Sequence, residues 1–209
     1  MLPETSLLLF LTTSVALIAA PGPDNLYIVT RGVAQGRKAA LISTLGMGLG
    51  VLVHTTFAAV GLSALLAQSA TAFSVVKYAG AAYLVYLGVK TILDKGSIFV
   101  PQHGTPVTLK SVFWQAVISD VLNPKVALFF LAFLPQFVSP GVGGVAAQLF
   151  ALGVLFALIG LVIDGVIAYF SGGVGNWLRS KPGAADALRW LTGSVLVGLG
   201  LRLALPERR

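Results

Sequence analysis

The chain has 209 residues, of which 56% are hydrophobic and only 10% are charged, and its mean hydropathy is +0.91. Because a soluble domain carries about 25% charged residues, this composition excludes a soluble globular protein and predicts a single integral membrane domain over residues 1–209. The net charge of +7 falls between the apolar runs rather than in a nucleic-acid-binding patch, and the absence of cysteine excludes a disulfide framework, a thiolate metal site and a cysteine nucleophile.

The first apolar run, residues 6–30, contains a polar break in its interior. This first break consists of five consecutive residues: Pro21, Gly22, Pro23, Asp24 and Asn25. Proline removes a backbone donor and clashes with the preceding turn, so a spanning helix should unwind there. Unwound backbone inside a membrane is tolerated only where it is buried in protein or lines a wet cavity. A carboxylate at that depth is costly, and we therefore predict a substrate-binding or coupling role for this break.

The next two predicted spans cover residues 39–66 and 72–93, with a turn at residues 68–71 between them. The second span carries His54, the only histidine inside a predicted span. A lone histidine is as compatible with a hydrogen-bonded core residue as with a group that takes part in coupling. Both interpretations of His54 stay open at this point.

The fourth predicted span, residues 112–137, follows a polar loop over residues 94–110 and contains a second break. This second break holds a carboxylate, an amide, a proline and a lysine: Asp120, Asn123, Pro124 and Lys125. At this depth Lys125 should pair with a buried carboxylate or bind a substrate carboxylate, the alternative being that its ammonium reaches an interface. For Asp120, a position near the membrane interface is as good an interpretation as a role in the site.

The fifth predicted span, residues 146–171, carries Asp164 within its apolar run, which favours a functional role for this carboxylate. A basic, glycine-rich loop is predicted over residues 172–185, and the sixth span over residues 186–205. Lysine and arginine are concentrated in the loops after spans one, three and five, so these loops should be cytoplasmic and both termini outside the cytoplasm. The arginines of the C-terminal tail oppose this orientation, which a C-terminal reporter that fluoresces only in the cytoplasm would test.

The two halves of the chain share a pattern. Each opens with a proline-broken span, and the span that follows carries a glycine-containing run that ends in an ionisable residue, His54 or Asp164. We therefore predict an all-α membrane protein of six transmembrane helices, built as two repeats over about residues 5–93 and 110–205. Because three spans per repeat is an odd number, the second repeat should be inverted in the membrane. Broken spans at matching positions of inverted halves point to a transport site.

Inverted repeats would bring the two breaks together around one cavity near the middle of the membrane. The side chains of Asp24 and Asn123 should then lie within about 12 Å of each other, the reach of one small-molecule pocket, with His54 and Asp164 flanking them. The helices that resume after each break offer unpaired N–H groups and a positive dipole end, which suit a substrate carboxylate. Asp24 would then meet a substrate ammonium or a proton.

These motifs resemble those of a known family. The two breaks, the basic loop at residues 36–38, the glycine run at residues 46–50 and the apolar run at residues 127–130 are similar to the LysE/RhtB family of amino-acid efflux permeases. The resemblance covers nearly the whole chain and implies no enzyme activity and no cofactor. It implies secondary export of amino acids or related small metabolites across the bacterial cytoplasmic (inner) membrane, with protons as the coupling ion. The substrate and the oligomeric state stay open, a homo-oligomer included.

Two other functions stay open. A cation or metal exporter is disfavoured because the chain has no cysteine, no histidine cluster and no carboxylate-rich loop, and no metal site is predicted. An intramembrane enzyme would need a catalytic pair, but the candidates, His54 with Asp164 and Ser43 with His54, lack metal-ligand or nucleophile spacing. Flux in liposomes without chemical change of the substrate would separate a transporter from an enzyme.

Overall fold

The computed structural model describes residues 4–62, 69–93, 107–139, 141 and 144–205. Every regular element in this part of the chain is helical, which confirms the all-α prediction for these residues. In chain order the helices are α1 (Glu4–Ala19), α2 (Pro23–Gln35), α3 (Arg37–Phe57), α4 (Ala70–Leu93), α5 (Leu109–Val121), α6 (Pro124–Leu128), α7 (Val145–Ser180) and α8 (Pro182–Ala204). Short π-helical and 3-10 turns extend α3 to Leu62 and α6 to Phe137.

Three helical stretches are long and apolar enough to cross a membrane by themselves: Arg37–Gly61, Val145–Gly173 and Asp186–Ala204. Two further candidates are bent pairs, α1 with α2 and α5 with the extended α6, whose halves are bent by 49° and 45°. The third predicted span coincides with α4, a 24-residue helix that packs mainly along α8. The described residues thus hold up to five candidate spans, and six spans in two inverted repeats stay a prediction.

The predicted loop over residues 172–185 is wrong, because α7 continues to Ser180 and α8 begins at Pro182. Glycines and charges favoured a loop there, but each residue that extends an existing helix adds a backbone hydrogen bond. Proline suits the first position of a new helix, which places the break at Lys181. The turn predicted at residues 68–71 and the loop predicted at residues 94–110 lie partly outside the described residues.

Glycines let α3 approach α5 closely. A Cβ atom added at Gly46 would collide with the backbone carbonyl of Phe113 in α5. One added at Gly50 would collide with the side chain of Asp120 at the end of the same helix. Small residues at helix interfaces are the usual means of close packing in membranes, and here they bring α3 against the second break.

An aromatic core packs beside the second break and joins helices from both halves of the chain. It is made of six buried rings: Phe10, Phe129, Phe130, Phe133, Phe137 and Phe156. The ring centroids of Phe129 and Phe156 are 4.5 Å apart in a stacked pair, and those of Phe10 and Phe137 are 5.3 Å apart edge to face. Such pairs add about 0.5–1.5 kcal/mol beyond the burial of area. The core therefore holds the segment after the second break against α1 and α7.

Candidate functional site

The two breaks are built alike. In each, a helix ends, an extended residue follows, and proline occupies the first position of the next helix. Pro23 begins α2 after Gly22, and Pro124 begins α6 after Asn123. Proline is favoured at this position because the first N–H of a helix has no helical partner. The same local chemistry therefore produces both breaks.

Lys125 of the second break binds backbone carbonyls of the helix that ends at the first break. Pro21 has no N–H to donate to the residue four positions earlier, so the carbonyl of Leu17 loses its helical partner. The Lys125 ammonium donates to that oxygen at 3.1 Å and to the oxygen of Ala20 at 2.9 Å. Gly22 makes room for this contact, since a Cβ atom there would lie 2.9 Å from Lys125 Nζ. The break in one half of the chain is thus stabilised by a side chain from the other half.

At the second break, too, the backbone carbonyl that a proline leaves without its helical partner finds other hydrogen-bond partners. Pro124 deprives the carbonyl of Asp120 of its helical partner, and that oxygen accepts from the backbone N–H of Asn123 at 2.9 Å. His54 Nε2 lies 3.2 Å from the same oxygen, and because a carbonyl only accepts, Nε2 carries the proton in this contact. The imidazole also stacks on Phe130 with a centroid distance of 5.7 Å. His54 therefore supports the backbone of the second break from α3.

A direct hydrogen bond joins the side chains of the two breaks, in which Asn123 Nδ2 donates to Asp24 Oδ2. The other side-chain atom of this amide, Oδ1, accepts from the backbone N–H of Lys125 at 3.0 Å. Asn25 Nδ2 donates to the Ile18 carbonyl at 3.3 Å and so closes the first break. Asp24 and Asn123 are 7% and 2% exposed. The proximity expected of these two residues is therefore observed as direct contact between buried groups.

A narrow cavity adjoins this contact and is lined from both halves of the chain. We call it the first cavity, and its charged lining residues are three carboxylates and one ammonium: Asp24, Asp120, Asp164 and Lys125. The space in it that is wide enough for water is about 30 Å³, room for roughly one or two water molecules. One buried oxygen of each carboxylate has no hydrogen-bond partner. Buried polar atoms without partners are uncommon, and these oxygens are placed to accept a proton or a cation.

The structure brings most of the predicted site residues together. Asp120 is 2% exposed and Lys125 is 6% exposed, so neither side chain faces open water in this arrangement, and the depth of both residues in the membrane stays a prediction. Lys125 was expected to pair with a buried carboxylate or to bind a substrate carboxylate, but its ammonium donates to the backbone carbonyls of Leu17 and Ala20, just before the first break. Asp164 lines the first cavity, whereas His54 lies about one turn beyond Val51, the last α3 residue in its lining. A coupling role for His54 stays a prediction.

Sequence reasoning missed the carbonyl oxygens of Leu17 and Ala20 as partners of Lys125. The signal was present, because Leu17 lies four residues before Pro21 and a proline leaves that carbonyl unpaired.

Within the ranges that the structure describes, no three histidine, aspartate or glutamate side chains are grouped so that they could hold a metal ion.

Two proline-broken helices whose breaks meet beside a buried, charged cavity are the arrangement typical of secondary transporters. The comparison with known families gives the particular class. Residues 15–207 match the family of LysE type translocators, and the chain belongs to this family.

The similar proteins cover nearly the full length of this chain. It is 28% identical over 209 residues to the uncharacterized membrane protein YrhP of Bacillus subtilis, covering 96% of this chain and 99% of the relative. It is 30% identical over 195 residues to the homoserine/homoserine lactone efflux protein of Salmonella typhimurium, covering 93% of this chain and 94% of the relative. An uncharacterized membrane protein of Vibrio cholerae is 29% identical over 200 residues, covering 96% and 97%. No solved structure matches the chain.

Proposed function

We propose that this LysE family protein is a secondary active exporter of amino acids or related small metabolites in the bacterial cytoplasmic membrane, and not an enzyme. The observation that carries the proposal is the contact between the two breaks beside a cavity with three carboxylates and one ammonium. A zwitterion needs one partner of each sign, and this site offers both. The names of the efflux relatives support the direction of transport.

The substrate ammonium would bind Asp24 and the substrate carboxylate would bind Lys125. In the described arrangement both groups are occupied, Asp24 by Asn123 and Lys125 by the carbonyls of Leu17 and Ala20. The first cavity is also too narrow for an amino acid. Binding therefore requires the two breaks to separate, which links occupation of the site to a change between states. Each bound species shifts that balance only through its different affinity for the two states.

Protons are the coupling ion in this proposal. A buried carboxylate carries one proton at most, and each of Asp24, Asp120 and Asp164 has an oxygen without a hydrogen-bond partner. Buried ionisable groups in membrane proteins mark proton relays as well as substrate paths. An outwardly directed transport cycle would then exchange substrate for protons that enter the cell.

A counterflow screen of the twenty amino acids in proteoliposomes tests the proposed function. We expect at least one amino acid to exchange across the membrane without chemical change, and an imposed pH gradient to accelerate its net movement. Divalent cations in the same vesicles test the alternative of a cation exporter, and product analysis tests the alternative of an enzyme. A folded, reconstituted protein that exchanges no amino acid would contradict the proposal.

A further inference from the structure

A second cavity shares a single lining residue, Lys125, with the first. Its volume is about 270 Å³, and it is lined by residues of both breaks together with residues of α4 and α8. This volume is close to the lower end, about 300 Å³, of the pockets that hold small ligands, whereas the first cavity, at about 30 Å³, has room for only about one or two water molecules. Lys125 contributes to the lining of both spaces, and its ammonium, which binds the carbonyls of Leu17 and Ala20 in this arrangement, would become available to a ligand when the two breaks separate.

The two cavities differ in the sign of their charge. The first cavity has three carboxylates and one ammonium in its lining. The second is lined by two ammonium side chains, those of Lys90 and Lys125, and none of the described residues in its lining is acidic. The second cavity therefore suits the carboxylate end of a zwitterion and repels a cation.

The walls of the second cavity are mainly apolar. Leu87 of α4 and Leu196 of α8 face it, together with the prolines of both breaks. Its hydroxyls belong to Thr91 and Thr192. Each already donates to the carbonyl four residues earlier in its own helix at 2.8 Å. Their oxygens keep only the capacity to accept, so a ligand hydroxyl fits here, whereas a second charged group would lie against apolar walls.

We propose that the second cavity is the subsite that selects the substrate. The substrate carboxylate binds the Lys125 ammonium, and an uncharged side chain lies between Leu87 and Leu196. This inference rests on the proposed export function and narrows its substrates to neutral amino acids with aliphatic or hydroxylated side chains. Cationic amino acids are excluded because their side chain would be buried against apolar walls and would face two like charges.

The test compares three radiolabelled amino acids in counterflow with the full chain in proteoliposomes. L-leucine is aliphatic, L-homoserine is hydroxylated and L-lysine is cationic. We expect the faster of the two neutral amino acids to exchange at least about tenfold faster than lysine, since juxtaposed like charges cost several kcal/mol. Lysine as the fastest of the three would overturn the inference.

Two kinds of variant locate the selection in the second cavity. Leu196→Trp should narrow the cavity and lower leucine exchange relative to homoserine by about tenfold. Leu201→Trp is the matched control, because Leu201 lies on the same helix and is 57% exposed. Thr192→Asp adds a carboxylate to the cavity and should raise lysine exchange relative to leucine by about tenfold. Thr91→Asp adds a carboxylate to the same cavity from α4, and it takes the place of Thr192→Asp if that variant does not fold.

The outcomes separate the subsite from the function on which it rests. If the folded wild-type chain exchanges none of the twenty amino acids of the counterflow screen, the export function and the subsite both fail, and if it exchanges others but neither leucine nor homoserine, the subsite alone fails. If it exchanges them and the folded cavity variants keep the wild-type ratios, the subsite alone is wrong. In that case the second cavity holds another occupant, such as a lipid chain.

Discussion

An Asp24→Asn variant should fold normally and lose net export. Asparagine has the same size, and its amide can still contact Asn123 across the two breaks. The substitution removes the negative charge that would meet a substrate ammonium or a proton. A buried charge left without its partner costs about 3–5 kcal/mol, so export in proteoliposomes should fall at least about a hundredfold.

Asp186→Asn provides the matched control for Asp24→Asn. Asp186 is a 65% exposed carboxylate on α8 that pairs with Arg189 at 3.1 Å, and its replacement should leave export unchanged. A second assay identifies the role of Asp24, because exchange in counterflow needs substrate binding but no net proton movement. Loss of both activities indicates ammonium binding, and loss of gradient-driven export alone indicates proton coupling. Wild-type export by a well-expressed Asp24→Asn protein would refute both roles.

Replacing Lys125 with methionine should lower both export and stability. Methionine keeps most of the apolar stem but removes the ammonium that binds the carbonyls of Leu17 and Ala20. A buried polar group left unsatisfied costs about 1–3 kcal/mol, and two carbonyls lose their partner here. The loss of charge also removes the partner that we propose for the substrate carboxylate. We expect a lower temperature of thermal unfolding in detergent and export reduced to background.

Lys110→Met is the control for this substitution, because Lys110 is exposed in the first turn of α5. It should change neither the unfolding temperature nor the export rate. If Lys125→Met unfolds at the wild-type temperature and exports at the wild-type rate, its ammonium neither stabilises the first break nor binds substrate.

The breaks were predictable because proline restricts the backbone so strongly. Pro23 and Pro124 each begin a new helix, and their sequence neighbours alone indicate that a helix ends before them. The proximity of Asp24 and Asn123 followed from the similar pattern in the two halves. Local chemistry and an internal pattern were therefore sufficient to place the site.

The partners within the site were less predictable, because they depend on distances between helices. Pro21 explains why the carbonyl of Leu17 has no helical partner. No local rule predicts that this carbonyl binds Lys125, which lies 108 positions further along the chain. The position of His54 depends on how closely Gly50 lets α3 approach Asp120. The end of α7 was mispredicted for another reason, since helix extension outweighed a loop-like composition.

Exchanging Asp24 and Asn123 tests most directly whether the two breaks form one transport site. Asp24→Asn alone removes the carboxylate, and Asn123→Asp alone places two carboxylates in contact. The double variant restores one carboxylate and one amide, and aspartate at position 123 can still cap α6.

The measurement is the export rate of the four proteins in a double-mutant cycle. If the two side chains act as a pair, the double variant should recover export at least about tenfold over either single variant, which makes the coupling free energy about 1.4 kcal/mol larger than the cost of the more harmful single substitution. Effects of the two substitutions that simply multiply, with the double variant below both single variants, would contradict a shared site.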